Sequence, residues 1–195
     1  MDLTAAHREI ATERLLLSAG DETLAEAVAD FQSRNRHHFA PWDPPTAESF
    51  YTAAAQAERI RLGLKAFSEG SGFRYWISPI GQPRRVIGSA HFSQVARGAF
   101  HSCVLGYALD ERSQGRGLMH EALSAAIEEL FSRRVNLHRI QAAYRPENKR
   151  SGAVLARLGF RIEGLAKDYL FIDGAWRDHH ITALTNPVFN EPLDW

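Results

Sequence analysis

The sequence predicts one α/β domain, a mixed and mostly antiparallel sheet of seven strands with helices on both faces. Three observations carry this. Extended and helical patterns follow one another in the order strand, helix, helix, three strands, helix, strand, helix, two strands. The three central strands are joined by short turns, which suit antiparallel neighbours. A helix from Gly115 to about Arg134 links the fourth strand to the fifth, and such a crossover makes that pair parallel. Parallel neighbours can splay at their C-terminal ends and open a cleft. No repeat, low-complexity tract or internal boundary interrupts the 195 residues, so 1–195 reads as a single domain with its core over about 10–185.

Residues 12–18, Thr-Glu-Arg-Leu-Leu-Leu-Ser, form the first expected strand. Asp21 is placed as an N-cap, and Leu24, Ala27, Val28 and Phe31 fall on one helical face. The loop from Asn35 to Pro45 holds the adjacent His37 and His38, then Phe39, Trp42 and three prolines. Proline fixes the backbone, so this segment is expected to be ordered. It is either a stiff connection whose aromatics plug the core edge or a lid facing a substrate. Thr46 opens a second helix reaching about Ser68, ended by Gly70 and Gly72. Strands follow over 74–77, 86–95 and 100–109. After the crossover helix, residues 138–144 extend, Pro146 breaks the strand, and Ser151 is placed as N-cap of a helix through Leu158. Gly159 supplies the left-handed stop. Residues 160–162 and 165–172 extend again, Asp173-Gly174 turns the chain, and 176–184 return.

Hydrophobic residues make up 45% of the chain and charged residues 24%, the balance of an ordinary globular domain. A formal net charge of zero argues against a general electrostatic grip on nucleic acid or an anionic membrane. The single cysteine, Cys103, excludes an intrachain disulfide and sits in an apolar strand, where it reads as a small buried hydrophobe. Met1 to Ile10 lacks a signal-peptide pattern, and no stretch approaches the ~20 apolar residues of a membrane span. A cytoplasmic protein is expected. The nine histidines are scattered without metal-ligand spacing, so no metal is expected.

The stretch that organises the chain is Leu105 to Met119. An apolar strand ends at Leu109, Gln114-Gly115-Arg116-Gly117 follows, and Leu118, Ala122, Leu123, Ala126, Ile127 and Leu130 then recur at helical spacing. The two glycines let the backbone turn sharply and let a ligand come close. The helix start offers unpaired N–H groups and the positive end of the dipole. Together they predict a pyrophosphate cradle made of backbone. The Gly-Lys-Ser/Thr of a nucleoside-triphosphatase loop is missing, and so is the third glycine of the dinucleotide fingerprint.

These residues resemble a known family. Gln114-Gly115-Arg116-Gly117-Leu118-Met119, Asn148-Lys149-Arg150-Ser151-Gly152 and Leu158-Gly159-Phe160 are similar to the GCN5-related N-acetyltransferases. Thr12-Glu13-Arg14-Leu15, Asn35-Arg36-His37 with Pro41-Trp42, and Ala166 through His179 narrow the likeness to the ribosomal-protein-alanine N-acetyltransferases of the RimJ/RimL group, the RimJ branch being the nearer. The resemblance implies the acetyltransferase fold and acetyl-coenzyme A as donor, its pyrophosphate on the amides of 114–119. It implies that the pantetheine arm lies along Tyr107, Ala108 and Leu109, that Asn148 contacts the coenzyme, and that Ser151 protonates the leaving thiolate. The implied acceptor is the N-terminal alanine of a small-subunit ribosomal protein, with association with the ribosome. The protein is implied to be a monomer or a homodimer. Two positions depart from the wider family: Met119 stands where glycine or alanine is common, and Val104 stands where some relatives carry a glutamate base.

An α-amine has a pKa of about 8, so roughly a tenth is neutral at pH 7, against about 0.04% of a lysine side chain. Without a strong base, an N-terminal acceptor is favoured. His101 is the first candidate base, with His91 and Asp168 behind it. His37, Trp42, Asp43 and Asp168 are candidates for holding the acceptor, although the aspartates also suit ordinary turns. Two other functions share the loop. One is acetylation of a small amine such as an antibiotic, an aminoacyl-nucleotide or a polyamine. The other is a non-catalytic acyl-coenzyme A-binding factor on the ribosome.

Overall fold

The computed structural model describes residues 6–190, so the ends of the expected domain, 1–5 and 191–195, lie outside it. Its strands are β1 (Glu9–Ala11), β2 (Leu15–Ser18), β3 (Phe73–Pro79), β4 (Gly88–Ala96), β5 (Ser102–Leu109), β6 (Arg139–Tyr144), β7 (Arg161–Ile172) and β8 (Ala175–Thr185). They form one sheet in the order β1-β2-β3-β4-β5-β6-β8-β7, antiparallel throughout except for the β5–β6 pair. The expected mixed sheet is present with eight strands in place of seven. The extra strand comes from the first segment. Thr12 and Leu15 close a turn through Thr12 N–H to Leu15 C=O at 2.8 Å and Leu15 N–H to Thr12 Oγ1 at 3.0 Å. A threonine hydroxyl offers the backbone this alternative to the ladder, so Ile10 folds back to pair with Leu17.

Five helices cover the sheet: α1 (Ala25–Arg34), α2 (Arg36–Phe39), α3 (Ala53–Glu69), α4 (Leu118–Phe131) and α5 (Lys149–Arg157). The alternation of β3 explains why both faces are covered. Trp76 points into a core with Val28 and Phe31 of α1 and Ile60 of α3. Phe73, Tyr75 and Ile77 point the other way, into a core with Ala122, Leu123, Ala126 and Leu130 of α4 and Leu155 of α5. Helix α3 begins later than Thr46, because Glu48–Tyr51 forms a separate turn and Thr52 is the residue whose side chain accepts the Ala55 N–H. It ends at Gly70 in the left-handed region, as expected. Cys103 is buried and free.

The β5–β6 pairing is short. It holds over four residue pairs, from Ser102↔Arg139 to Leu105↔Ala142, and stops. Beyond it β5 stays paired to β4 as far as Leu109↔Gly88, and β6 stays paired to β8 as far as Tyr144↔His180. The facing edges of 106–109 and 143–144 therefore open onto a fork. No helix among the described residues is long and apolar enough to cross a membrane.

Candidate active site

The chain leaving β5 is shaped before it reaches the glycines. Asp110 caps the short turn that follows by accepting the Arg112 N–H at 2.9 Å, and it binds Arg34 Nε at 2.7 Å. Burial opposes the charge of Asp110, yet these contacts and Asn35 hold its carboxyl below the usual range. Asn35 Oδ1 accepts the Glu111 N–H at 3.0 Å. Gly115 and Gly117 both lie at φ +75°, where only glycine is unstrained. Gly117 is the N-cap of α4, and no side chain caps that helix. The first amides of α4 are left for an anion.

The loop is held from beneath by a clamp that the sequence did not announce. Arg14 donates Nε to Glu121 at 2.6 Å and a terminal N–H to the Arg116 carbonyl at 3.0 Å. Glu121 also accepts from the Thr12 hydroxyl at 2.6 Å and from the Arg14 N–H at 3.0 Å. Burial opposes the Glu121 charge, but these donors keep its carboxyl ionised below the usual range. Glu121→Ala is expected to cost about 1–2 kcal/mol, because it strands several donors at once, and to lower Tm by about 3–6 °C in a circular-dichroism melt.

On the α5 side of the fork, Ser151 Oγ lies 2.7 Å from the Tyr107 hydroxyl, and that hydroxyl lies 3.0 Å from the Ser151 carbonyl. Burial pushes the Tyr107 phenol up to about 12, partly opposed by Ser151, so it stays protonated at neutral pH. The pair can carry a proton towards the fork. Ser151 is not the cap of α5: the Asn148 side chain accepts the Ser151 N–H at 3.1 Å, leaving the serine hydroxyl free for Tyr107. Gly152 is required beside it, since a Cβ there would lie 2.7 Å from the Tyr144 ring.

The remaining candidates divide by the end of the sheet they occupy. Arg145, just past β6, donates to the Pro41 carbonyl at 2.6 Å and lies over the Trp42 ring at 5.5 Å, which pins the 40–45 loop at the fork. Asp43 keeps exposed surface, yet loss of surrounding water pushes its carboxyl up to about 6 against the pull of Arg59, as expected of a recess. Asp168 sits in an irregular stretch of β7 between Ala166↔His179 and Leu170↔Arg177, just beyond the end of β6. Its N–H donates to Asp178 at 3.1 Å. His37 is exposed, and it is His38 that reaches the loop, 2.8 Å from Gln114 Nε2, while Arg150 donates to Gln114 Oε1 at 2.7 Å. His101 is at the other end. It precedes β5, eight residues before Leu109 or about 26 Å along an extended strand, and its ring lies 2.6 Å from the Gly98 carbonyl. The structure does not bring it to the fork. His91 is nearer, but burial, with Arg74 and Arg59, lowers its pKa to about 3, so it is a weak base.

An uncapped helix start, two left-handed glycines and a free strand edge fit an elongated ligand carrying a diphosphate at one end. The comparisons with known proteins agree. The acetyltransferase (GNAT) domain family matches residues 14–161. A ribosomal protein uS5-alanine N-acetyltransferase of Escherichia coli is 45% identical over 178 residues, covering 91% of each chain. The crystal structure of a ribosomal-protein-S5-alanine acetyltransferase from Vibrio fischeri superimposes with a TM-score of 0.89 at 35% identity, covering 94% of this chain and 99% of that one. Mycobacterium smegmatis RimJ in complex with CoA-disulfide gives 0.82 at 33% identity, covering 88% and 81%.

Proposed function

Because the chain belongs to the GNAT acetyltransferase family, we propose that it moves the acetyl group of acetyl-coenzyme A onto the N-terminal α-amine of a small-subunit ribosomal protein that begins with alanine. The observation that carries this reading is the fork past Leu105 and Ala142, in a chain 45% identical to an enzyme named for that reaction. The amides of 114–119 hold the diphosphate, and the free edge of Tyr107, Ala108 and Leu109 takes the arm. Asn148 holds the start of α5 in place beside it. The acceptor reaches the fork past Trp42, Asp43 and Asp168. Direct attack within a ternary complex suffices, since about a tenth of an α-amine is already neutral at pH 7. As the C–N bond forms and the C–S bond breaks, the attacking nitrogen gives a proton to water, Ser151, backed by the protonated Tyr107, protonates the departing thiolate, and solvent restores the serine proton. A ribosomal acceptor sets the place of action in the cytoplasm, on the ribosome or its precursors.

The test follows free thiol released from acetyl-coenzyme A with paired peptides. One begins with a free alanine; the other is N-blocked and carries an internal lysine. Turnover on the first alone is expected. Turnover on the lysine peptide alone would overturn the α-amine reading.

A further inference from the structure

A recess on the α1–α3 side of the sheet adjoins the fork, and its arginines take no part in the chemistry above. Its floor runs across three strands. Arg74 of β3 pairs in register with His91 of β4, and His91 with Gly106 of β5, so the three share one face. Gly106 is exposed, and a Cβ built on it would meet nothing within 4 Å. The floor is therefore open at the point where β5 leaves β6. Arg59 of α3 is close enough to act by charge on Arg74 and His91 of the floor, and on Asp43 of the pinned loop.

The charge balance of this recess is unusual. The Arg74 guanidinium lies 2.8 Å from His91 Nδ1 and 5.6 Å from the Trp76 ring centre. Arg59 donates to Gln56 Oε1 at 2.7 Å and lies 4.6 Å from the Phe50 ring centre. Among the described residues, neither arginine makes an ion pair with a carboxylate within 4.0 Å. Burial, with Arg59 alongside, lowers Arg74 to about 9, so its charge is held with little water around it. Poorly hydrated charges are normally paired, because leaving one unpaired costs free energy. Of the two guanidiniums only Arg59 has a carboxylate, that of Asp43, near enough to act on it by charge, and none of the described residues supplies a second.

We propose that Arg59 and Arg74 form a subsite for an acidic side chain of the acceptor, an aspartate or glutamate in the first few residues after the acetylated alanine. The proposal rests on the N-terminal acceptor reading above. The guanidinium fork matches a carboxylate in two parallel hydrogen bonds. The phosphates of the coenzyme belong elsewhere, since Gly106 lies about 10 Å back along β5 from its end at Leu109, before the loop begins. A peptide whose first residue is at the fork covers about 3–11 Å with its next one to three residues, so positions 2 to 4 are the ones that can lie beside the adjoining recess.

The test compares alanine-first peptides that differ only by glutamate or glutamine at position 2, 3 or 4. At one of these positions the glutamate peptide is expected to have a KM lower by about tenfold or more, with kcat changed by less than about twofold. That ratio falls to about one in Arg74→Gln and in Arg59→Gln and is partly kept in Arg74→Lys. The coenzyme Kd of each variant reports that its fold is intact. The wild-type comparison needs no variant. Equal KM for glutamate and glutamine at all three positions, with alanine peptides turned over, overturns the subsite alone. No turnover on any alanine peptide, with coenzyme bound normally, overturns the acceptor reading and the subsite with it.

Discussion

Gly117→Val is expected to weaken coenzyme binding by about 10³ while lowering Tm by only a few degrees. Gly117 sits at φ +75° as the N-cap of α4. A Cβ there has room, since its nearest neighbour is an Arg14 nitrogen at 3.8 Å, so the damage is conformational. A β-branched residue held in the left-handed region costs about 1–2 kcal/mol or more. If the backbone relaxes to negative φ to escape that cost, the amides that follow turn away from the phosphate. Losing two charge-assisted hydrogen bonds at about 2 kcal/mol each gives about 4 kcal/mol, or roughly 10³ in Kd. Calorimetry reads the affinity, and a melt reads the fold. Gly117→Asn separates the two effects, because asparagine tolerates the left-handed region and should keep most of the affinity. Unchanged affinity in the valine variant would remove the backbone cradle from the mechanism.

Ser151→Ala is expected to lower kcat by about 10² and leave the coenzyme Kd within about twofold. The substitution removes only Oγ. The Ser151 N–H stays capped by Asn148, and the Ser151 carbonyl stays within reach of Tyr107, so α5 and the phenol keep their places. What is lost is the hydroxyl 2.7 Å from Tyr107 that can hand a proton to the thiolate. Tyr107→Phe should cost less, because the serine keeps its proton and loses only its orientation. Equal losses in kcat and Kd for Ser151→Ala would make the serine a binding group and nothing more.

The strand, glycine turn and helix from Leu105 to Leu130 were legible because three local signals coincide there: an apolar run, two glycines and a 3.6-residue period. The parallel crossover followed from connectivity alone. The misplaced helix caps are each a choice between neighbours that local chemistry cannot make. Thr46 and Thr52 are equally good caps, and so are Asn148 and Ser151; tertiary packing selects the later residue in one case and the earlier in the other. His37 and His38 differ by about 100° around a helix, and only the position of the glycine loop says which one meets Gln114. His101 looked close to the site because it belongs to the same strand, but a strand is long, and the two ends of β5 are different places. The pairings of the Arg14–Glu121 clamp and of the Arg59–Arg74 recess left no trace in the sequence. Each joins single charged residues from separate elements, and although Arg14 belongs to a stretch the family shares, neither period nor composition marks its partner.

The four-pair ladder between β5 and β6 has a bearing on how this molecule can be made more robust. Within the sheet of the described residues it joins two antiparallel blocks, β1 to β5 and β6 to β8, and it stops where the fork begins. Any substitution that zipped the ladder past Leu105 and Ala142 would add backbone hydrogen bonds and raise stability, and it would close the gap a substrate has to enter. Selection for heat resistance therefore has no purchase at this joint. Hardening has to be sought at a distance, in helix caps, the α3 surface or the β7 edge, and the sheet keeps a short weld where the chemistry is done.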